Sequence, residues 1–446
     1  MESYLSFFKN KTVTLMGLGL LGRGVGDAAF LAQHCKKVFV TDIKSADELR
    51  SSIDALQNYK NIEFFVGSHD DKLFSNVDFI IKGAGVRLDN PYIEHAHKHG
   101  VPVYMSTALF ARFSPIKTIG ITGTRGKTTT TCMIAAILCR AGKKVLIGGN
   151  IRGVSTLAML TEATSFDCAV LELDSWQLQG FDDLNISPHI AVFTTFYPDH
   201  MNYYDGDMAR YLNDKTAIYR HQKKDDFFIT SEEVLNLIQP EPGKLPSNWV
   251  LVKPLAASFM MKTPGAHNLL NAAFAKKVGQ ICDIEEKTID TALHDFESVE
   301  GRLQFIGAWK QRDFYNDSNA TTQEATLAAL NAFPPQSTVL IFGGADKGLP
   351  FDRLLACLSK SAIRSVLLKG TGSDRILEAL PHIKVATTMP EAIQIALDAS
   401  HPGDKIILSP AFASFGLFQN EYDRSDQFVQ NVKNLISGTE DGKCRF

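Results

Sequence analysis

The stretch IKTIGITGTRGKTTTTCMIAAIL, residues 116–138, decides how this 446-residue chain is read. A short apolar run ends in Gly123-Thr124-Arg125-Gly126-Lys127, and a helix-forming run opens on Thr128 and Thr129. Strand, glycine loop and helix in that order make a phosphate cradle. Glycines let successive N–H groups converge on an anion, and the helix N-terminus adds free donors and a positive dipole end. Lys127 suits the β/γ-phosphates and Thr128 a Mg²⁺ ion. The standard loop has glycine where Ile121 stands; here the glycines are Gly120, Gly123 and Gly126. The plain alternative is a glycine-rich turn with an exposed lysine.

Outward from the cradle, strand and helix alternate. TVTLMG, KVFVTD, VDFIIKGAG and VPVYM read as strands before it. KVLIGGN, DCAVLELD and HIAVFTTF read as strands after it, and a third series (DFYNDS, STVLIFGGAD, RSVLLKG, HIKVATT, DKIILSPA) begins after Gly301-Arg302. Alternation of this kind predicts parallel βαβ units. The length allows roughly three domains. The expected fold class is α/β, with domains over residues 1–110, 111–300 and 301–446. PEPGKLPSNW, near 240–250, predicts a turn-rich surface insertion.

A second glycine turn, GLGLLG, places Gly17, Gly19 and Gly22 between a strand and a helix, and Asp42 closes the next strand. Three readings stand: an NAD(P) site with Asp42 on the ribose, another nucleotide or nucleotide-sugar site, or a structural turn. Glu172 ends a strand in the cradle's own domain, as a solvated carboxylate or a metal ligand. His200 follows another strand and Lys215 lies on the helix after it. Singly, each is an ordinary surface residue. Together with the cradle they fall where parallel sheets gather functional groups, at the strands' carboxyl ends.

Composition excludes several classes. The formal net charge is −3, with 21% charged and 45% hydrophobic residues. Such a balance predicts no nucleic-acid partner. No window supplies the ~18 uncharged apolar residues of a membrane span. The N-terminal MESYLSFFKNK does not read as a signal peptide. Seven scattered cysteines without a CxxC pair predict reduced thiols and a cytoplasmic setting.

At this point the chain resembles a known family, the Mur ligases. GITGTRGKTTT, GGN (148–150), LELDSWQL, PDH (198–200), Lys215, HNLLNAAFA, EGRLQ, YNDSNATT, GGADKG and LSPAFASFGLFQN follow the family's order and spacing over nearly the whole chain. The resemblance implies a Rossmann-like N-terminal domain for a UDP-sugar, a central P-loop ATPase-type domain, and a Rossmann-like C-terminal domain for the amino acid. It implies an ATP-dependent amide ligase of peptidoglycan synthesis, most similar to the members that add glutamate to UDP-N-acetylmuramoyl-L-alanine through an acyl phosphate. ATP, two Mg²⁺ ions and a CO₂-derived carbamate on Lys215 are the implied cofactors, and a monomer is expected. Lys127, Glu172, His200 and Lys215 carry the chemistry, and Thr128, Glu172, His200 and carbamylated Lys215 the metals. ATP falls to Gly123, Thr124, Gly126, Lys127, Thr128, Thr129, Asn268, Asn271, Arg302 and Asp317. The UDP-substrate falls to Gly19, Leu20, Asp42, Asn150 and His200, and glutamate to Thr321, Lys347, Ser414 and Phe415.

The chain departs from the family pattern at Asn319 (usually lysine), Asp174 (usually serine), Glu421 (usually aromatic) and after Asp42, where Lys44 follows without the Thr-Arg pair. Those departures leave D- versus L-glutamate open. Ligases with other acceptors, such as folylpolyglutamate or cyanophycin synthases, fit the N-terminal part poorly. A nicotinamide oxidoreductase leaves the central cradle without purpose, and a non-catalytic nucleotide sensor leaves the four central residues without one.

Overall fold

A computed structural model of the chain describes residues 3–20, 22–238, 248–348 and 350–437. Residues 240–247 of the expected insertion, and the Glu421 side chain, lie outside the described residues. The chain divides into two compact units, Met1–Lys253 with Asn271–Leu293, and Pro254–Leu270 with His294–Phe446.

The first unit holds two parallel sheets. Strands β1 (Thr12–Met16), β2 (Lys37–Asp42), β3 (Ile62–Val66), β4 (Phe79–Lys82) and β5 (Val103–Tyr104) pair in the order β3-β2-β1-β4-β5. Strands β6 (Lys117–Thr122), β7 (Val145–Gly149), β8 (Cys168–Glu172), β9 (Ile190–Phe193), β10 (Phe227–Ser231) and β11 (Asn248–Val252) pair as β11-β10-β9-β6-β8-β7. β4 and β9 are buried along their whole length, as strands covered on both faces must be. In each sheet the chain steps out on one side of its first strand and later returns to the other, beside β1 and beside β6. A crevice opens at such switch points, at the strands' carboxyl ends. One apolar cluster runs through both sheets, from Val13 and Leu31 to Leu171 and Phe193. The buried Asp27 carboxylate accepts from the hydroxyls of Ser106 and Ser155 and so ties the helix Arg23–His34 to the helix Ser106–Phe113 and to the loop after β7. The two segments expected as separate domains therefore share one core.

The second unit holds β12 (Gln304–Trp309), β13 (Arg312–Asn316), β14 (Thr338–Gly343), β15 (Arg364–Leu368), β16 (Lys384–Ala386) and β17 (Lys405–Leu408), in the order β12-β13-β17-β14-β15-β16. β12 runs antiparallel to β13, with a register shift between Phe305 and Gly307; the other pairs are parallel. β12 is half exposed, an edge strand without the continuous apolar run that marks its neighbours. Among the described residues no helix is long and apolar enough to cross a membrane.

Candidate active site

β6 lies at the switch point of the second sheet and delivers its carboxyl end to the loop Gly123–Gly126. Gly123 (φ 139°) and Gly126 (φ 85°) hold backbone that side-chain-bearing residues avoid. A Cβ on Gly123 would run into Thr194 Oγ1, and one on Gly126 into Asn271 Oδ1. Residues just past β9 brace the loop: Thr124 N donates to Thr195 O (2.7 Å), Arg125 N to Thr195 Oγ1 (2.9 Å), and the Thr194 hydroxyl to Arg125 O (2.6 Å). The helix Lys127–Arg140 starts directly after Gly126, with Thr128 half-buried and Thr129 buried. Thr130 Oγ1 donates to Asn271 Oδ1 (3.4 Å).

Two of the expected catalytic residues meet on this loop. Lys127 Nζ donates to the Gly123 carbonyl oxygen at 3.0 Å, and Lys215 Nζ, from the helix Met208–Arg220, donates to the same oxygen at 3.2 Å. Lys215 is 1% exposed, with its amine 4.8 Å above the Tyr211 ring. Burial, and after it the Lys127 charge, push its pKa well below that of an ordinary lysine. Glu172 ends β8 in register with Ile121 and is 4% exposed. Its Oε2 is buried without a hydrogen-bond partner.

His200 sits in the left-handed region (φ 55°) with its ring 4.8 Å from that of Trp176. Partial burial lowers its pKa; Asp199 opposes this, and the Lys127 and Lys215 charges add to it, which favours the neutral imidazole. A hard cation takes oxygen ligands, and the orphaned buried oxygen of Glu172 suits Mg²⁺. Among the described residues no three His, Cys, Asp or Glu side chains gather as a metal set.

At the first glycine turn, Asp42 makes main-chain contacts. Its carboxylate accepts from the main-chain N–H of Leu18 (2.9 Å), Gly19 (3.0 Å) and Lys44 (3.0 Å), and so braces the turn itself. Leu20 is exposed beside it. Asn150, after β7, accepts from Arg23 Nη2 through Oδ1 (3.1 Å), while its N–H donates to Glu172 O (2.7 Å). GGN thus links the first sheet's helix to the strand end bearing Glu172. Asp174, a departure from the family pattern, is the N-cap of the helix Ser175–Asp183. It accepts from Gln177 N (2.7 Å) in a reciprocal capping box, a task serine performs equally well.

In the second unit, Asp317 is enclosed, accepting from Ser409 Oγ (2.7 Å) and Leu303 N (3.1 Å). Burial pushes its carboxyl up to about 7. Arg302 precedes Leu303 directly. Asn268 Nδ2 donates to Pro264 O (2.6 Å). Thr321 is half-buried, Ser414 buried, Lys347 exposed and Phe415 62% exposed. Asn319 Nδ2 donates to Glu300 O (3.3 Å), holding the EGR turn. Sequence reasoning missed Arg424, fully buried and donating to Phe412 O (3.1 Å) and Ser318 O (2.8 Å). It also missed Thr194, Thr195 and Tyr211 around the cradle; the threonine pair at a buried strand's end was the available signal.

Residues 11–105 match the Mur ligase MurD-like N-terminal domain, 121–243 the Mur ligase middle domain, and 301–412 the Mur ligase glutamate ligase domain. The chain is 32% identical to the UDP-N-acetylmuramoylalanine–D-glutamate ligase of Roseiflexus sp. (strain RS-1), over 95% of this chain and 99% of that one. It is 33% identical to the enzyme of that name from Koribacter versatilis (strain Ellin345), over 96% and 98%. In fold it is similar to the UDP-N-acetylmuramate-alanine ligase MurC of Thermotoga maritima (TM-score 0.61, 20% identity, 95% and 100% covered). It is also similar to the MurF ligase of Thermotoga maritima solved in complex with ADP (TM-score 0.60, 15% identity, 98% and 100% covered). This chain belongs to the Mur ligase family.

Proposed function

We propose that this chain is an ATP-dependent ligase that joins D-glutamate to UDP-N-acetylmuramoyl-L-alanine in peptidoglycan precursor synthesis, in the cytoplasm. The observation that carries the reading is the convergence of Lys127 and Lys215 on Gly123 O, in the sheet where Glu172 ends β8 with a buried, unpaired oxygen. The relatives named for this reaction match along nearly the full chain.

A carboxylate resists amines because its charge is delocalised and its leaving group would be oxide. An oxygen of the alanyl carboxylate attacks the γ-phosphorus of ATP, ADP leaves, and an acyl phosphate results. The glutamate amine then attacks the acyl carbon, sheds a proton, and orthophosphate leaves. Phosphoryl transfer of this kind needs positioning and charge neutralisation above all. The N–H groups at the start of the helix Lys127–Arg140 orient the phosphates, and Lys127 neutralises the moving phosphoryl group. Thr128 and Glu172 would hold one Mg²⁺, and His200 with Lys215 as its carbamate a second; bound there, Mg²⁺ supplies Lewis-acid charge neutralisation. The depressed basicity of Lys215 supports the carbamate, since only a neutral amine adds to CO₂. Gly19, Leu20, Asp42, Asn150 and His200 take the nucleotide-sugar, and Asp42 also braces the turn. Asn268, Asn271, Arg302 and Asp317 serve ATP, and Thr321, Lys347, Ser414 and Phe415 the amino acid; a monomer suffices for this set. Incubation with UDP-N-acetylmuramoyl-L-alanine, ATP, Mg²⁺ and either D- or L-glutamate tests the reading. A product heavier by one glutamyl residue should form with the D isomer; formation with the L isomer alone would overturn the acceptor assignment.

A further inference from the structure

Segment 199–207, between β9 and the helix Met208–Arg220, carries His200 and is held from two sides. His200 and Asp205 (φ 53°) lie in the left-handed region beside Gly206 (φ 80°). Residues so placed persist only where their surroundings fix them. On the cradle side, Arg125 Nη1 lies 3.5 Å from Asp199 Oδ2, and Asp199 Oδ1 accepts the His200 N–H (3.0 Å).

On the other side stands Arg87, from the loop after β4. Its Nη1 donates to Tyr203 O (2.6 Å) and its Nη2 to Asp205 Oδ2 (3.2 Å), an oxygen that Arg210 Nη1 also approaches at 3.4 Å. Asp89 takes the same guanidinium in a fork, Nε to Oδ1 (2.8 Å) and Nη2 to Oδ2 (2.7 Å), which fixes its plane. The guanidinium lies 5.1 Å from the Tyr203 ring centre. Tyr203 packs on Trp176 at 5.1 Å, and Trp176 on His200 at 4.8 Å. Contacts thus run unbroken from Arg87 to the His200 imidazole. Arg87 also follows β4 at the crevice of the first sheet, where its switch point would seat a nucleotide ligand.

Resting on the ligase reading, we propose that Arg87 is a positioning residue that sets the His200 loop from the nucleotide-sugar side, so that occupancy of one nucleotide site is felt at the other. A ligand that shifts the Gly83–Val86 backbone carries Arg87 with it, and the loop it grips is the one Arg125 grips from the phosphate cradle. Such coupling is reciprocal between the two ligands.

The test is calorimetric titration of the full chain with a non-hydrolysable ATP analogue and Mg²⁺, with and without UDP-N-acetylmuramoyl-L-alanine. In the unaltered protein the sugar substrate should change analogue affinity by about fivefold or more. In Arg87→Gln that ratio should collapse towards one, with analogue affinity in the absence of the sugar substrate retained. Its kcat should fall while KM for ATP holds. Arg87→Lys, which keeps the charge but not the fork, should show an intermediate ratio. Should Arg87→Gln not fold, Asp89→Asn reads the same contact, with a reduced ratio expected. A full ratio in Arg87→Gln, or in both Arg87→Lys and Asp89→Asn, overturns the proposal alone. An unaltered chain that binds neither ligand overturns the ligase reading and the proposal with it.

Discussion

Lys127 and Lys215 donate to one acceptor, the carbonyl oxygen of Gly123, at 3.0 and 3.2 Å. Two ammonium groups converging on one oxygen repel. Lys215, the enclosed one, yields first: burial, then the Lys127 charge, moves its pKa well down. The result is a buried amine of weakened basicity at a phosphate cradle.

The proposed carbamate on Lys215 is open to direct measurement. With ¹³C-bicarbonate, the protein should show a carbamate carbonyl resonance that is absent in Lys215→Arg. Turnover should fall when CO₂ is depleted and return when it is restored. Lys215→Arg should lose about 100-fold or more in kcat, the scale of a removed charge-stabilising group. A free amine at Lys215 under saturating bicarbonate, with full turnover, contradicts the assignment.

Lys127 and Asp42 should fail differently. Lys127→Ala removes charge from the transferring phosphoryl group, so kcat should drop at least about 100-fold with UDP-substrate binding retained. Asp42→Ala frees three main-chain N–H groups at the first turn, so KM for the UDP-substrate should rise with little change in kcat. The fold should also lose about 1–3 kcal/mol, the usual cost of stranding buried donors. Steady-state kinetics and urea denaturation of both variants check the pattern; matching kinetic profiles would refute the division of roles.

Asp174→Ser should be nearly silent in stability, because serine caps the helix Ser175–Asp183 as well as aspartate does. Asp174→Ala should cost about 1 kcal/mol. Thermal unfolding of the three proteins decides: equal losses for serine and alanine would mean that the charge, and not the cap, is what matters.

Much of this was legible in the sequence for a physical reason. β8 and β9 are buried over most of their length, so each reads as an apolar run, and Glu172 and Thr194 are marked by the break in it; β6, KTIGIT, is marked instead by the glycine loop that follows it. β12 was missed because it is a half-exposed edge strand. The fork between Arg87 and Asp89 was illegible because a two-residue spacing in a loop carries no periodic signal; only the fold brings Tyr203 and Asp205 to it. The spacing places Asp42 at a strand end but does not show which N–H groups curl over it.

Asp317 sets a pH dependence of stability. Its carboxyl titrates at about 7 in the fold, against the ordinary carboxylate range when unfolded. The fold therefore holds this proton more tightly than the unfolded chain does. Its contribution is present in full at low pH and is lost as pH rises from about 4 towards 7. Asp317→Asn lacks the titration, so the stability of the unaltered protein relative to this variant should decline across that window and then level off. Denaturant titrations from pH 4.5 to 8 measure it; a difference independent of pH would contradict the assignment.

The central claim is that an oxygen of the sugar-linked acid attacks ATP. UDP-N-acetylmuramoyl-L-alanine labelled with ¹⁸O in its carboxylate, turned over with ATP and D-glutamate, tests this directly by mass analysis of the released orthophosphate. One ¹⁸O should appear in each phosphate formed; phosphate free of the label, with amide product still accumulating, would contradict the account.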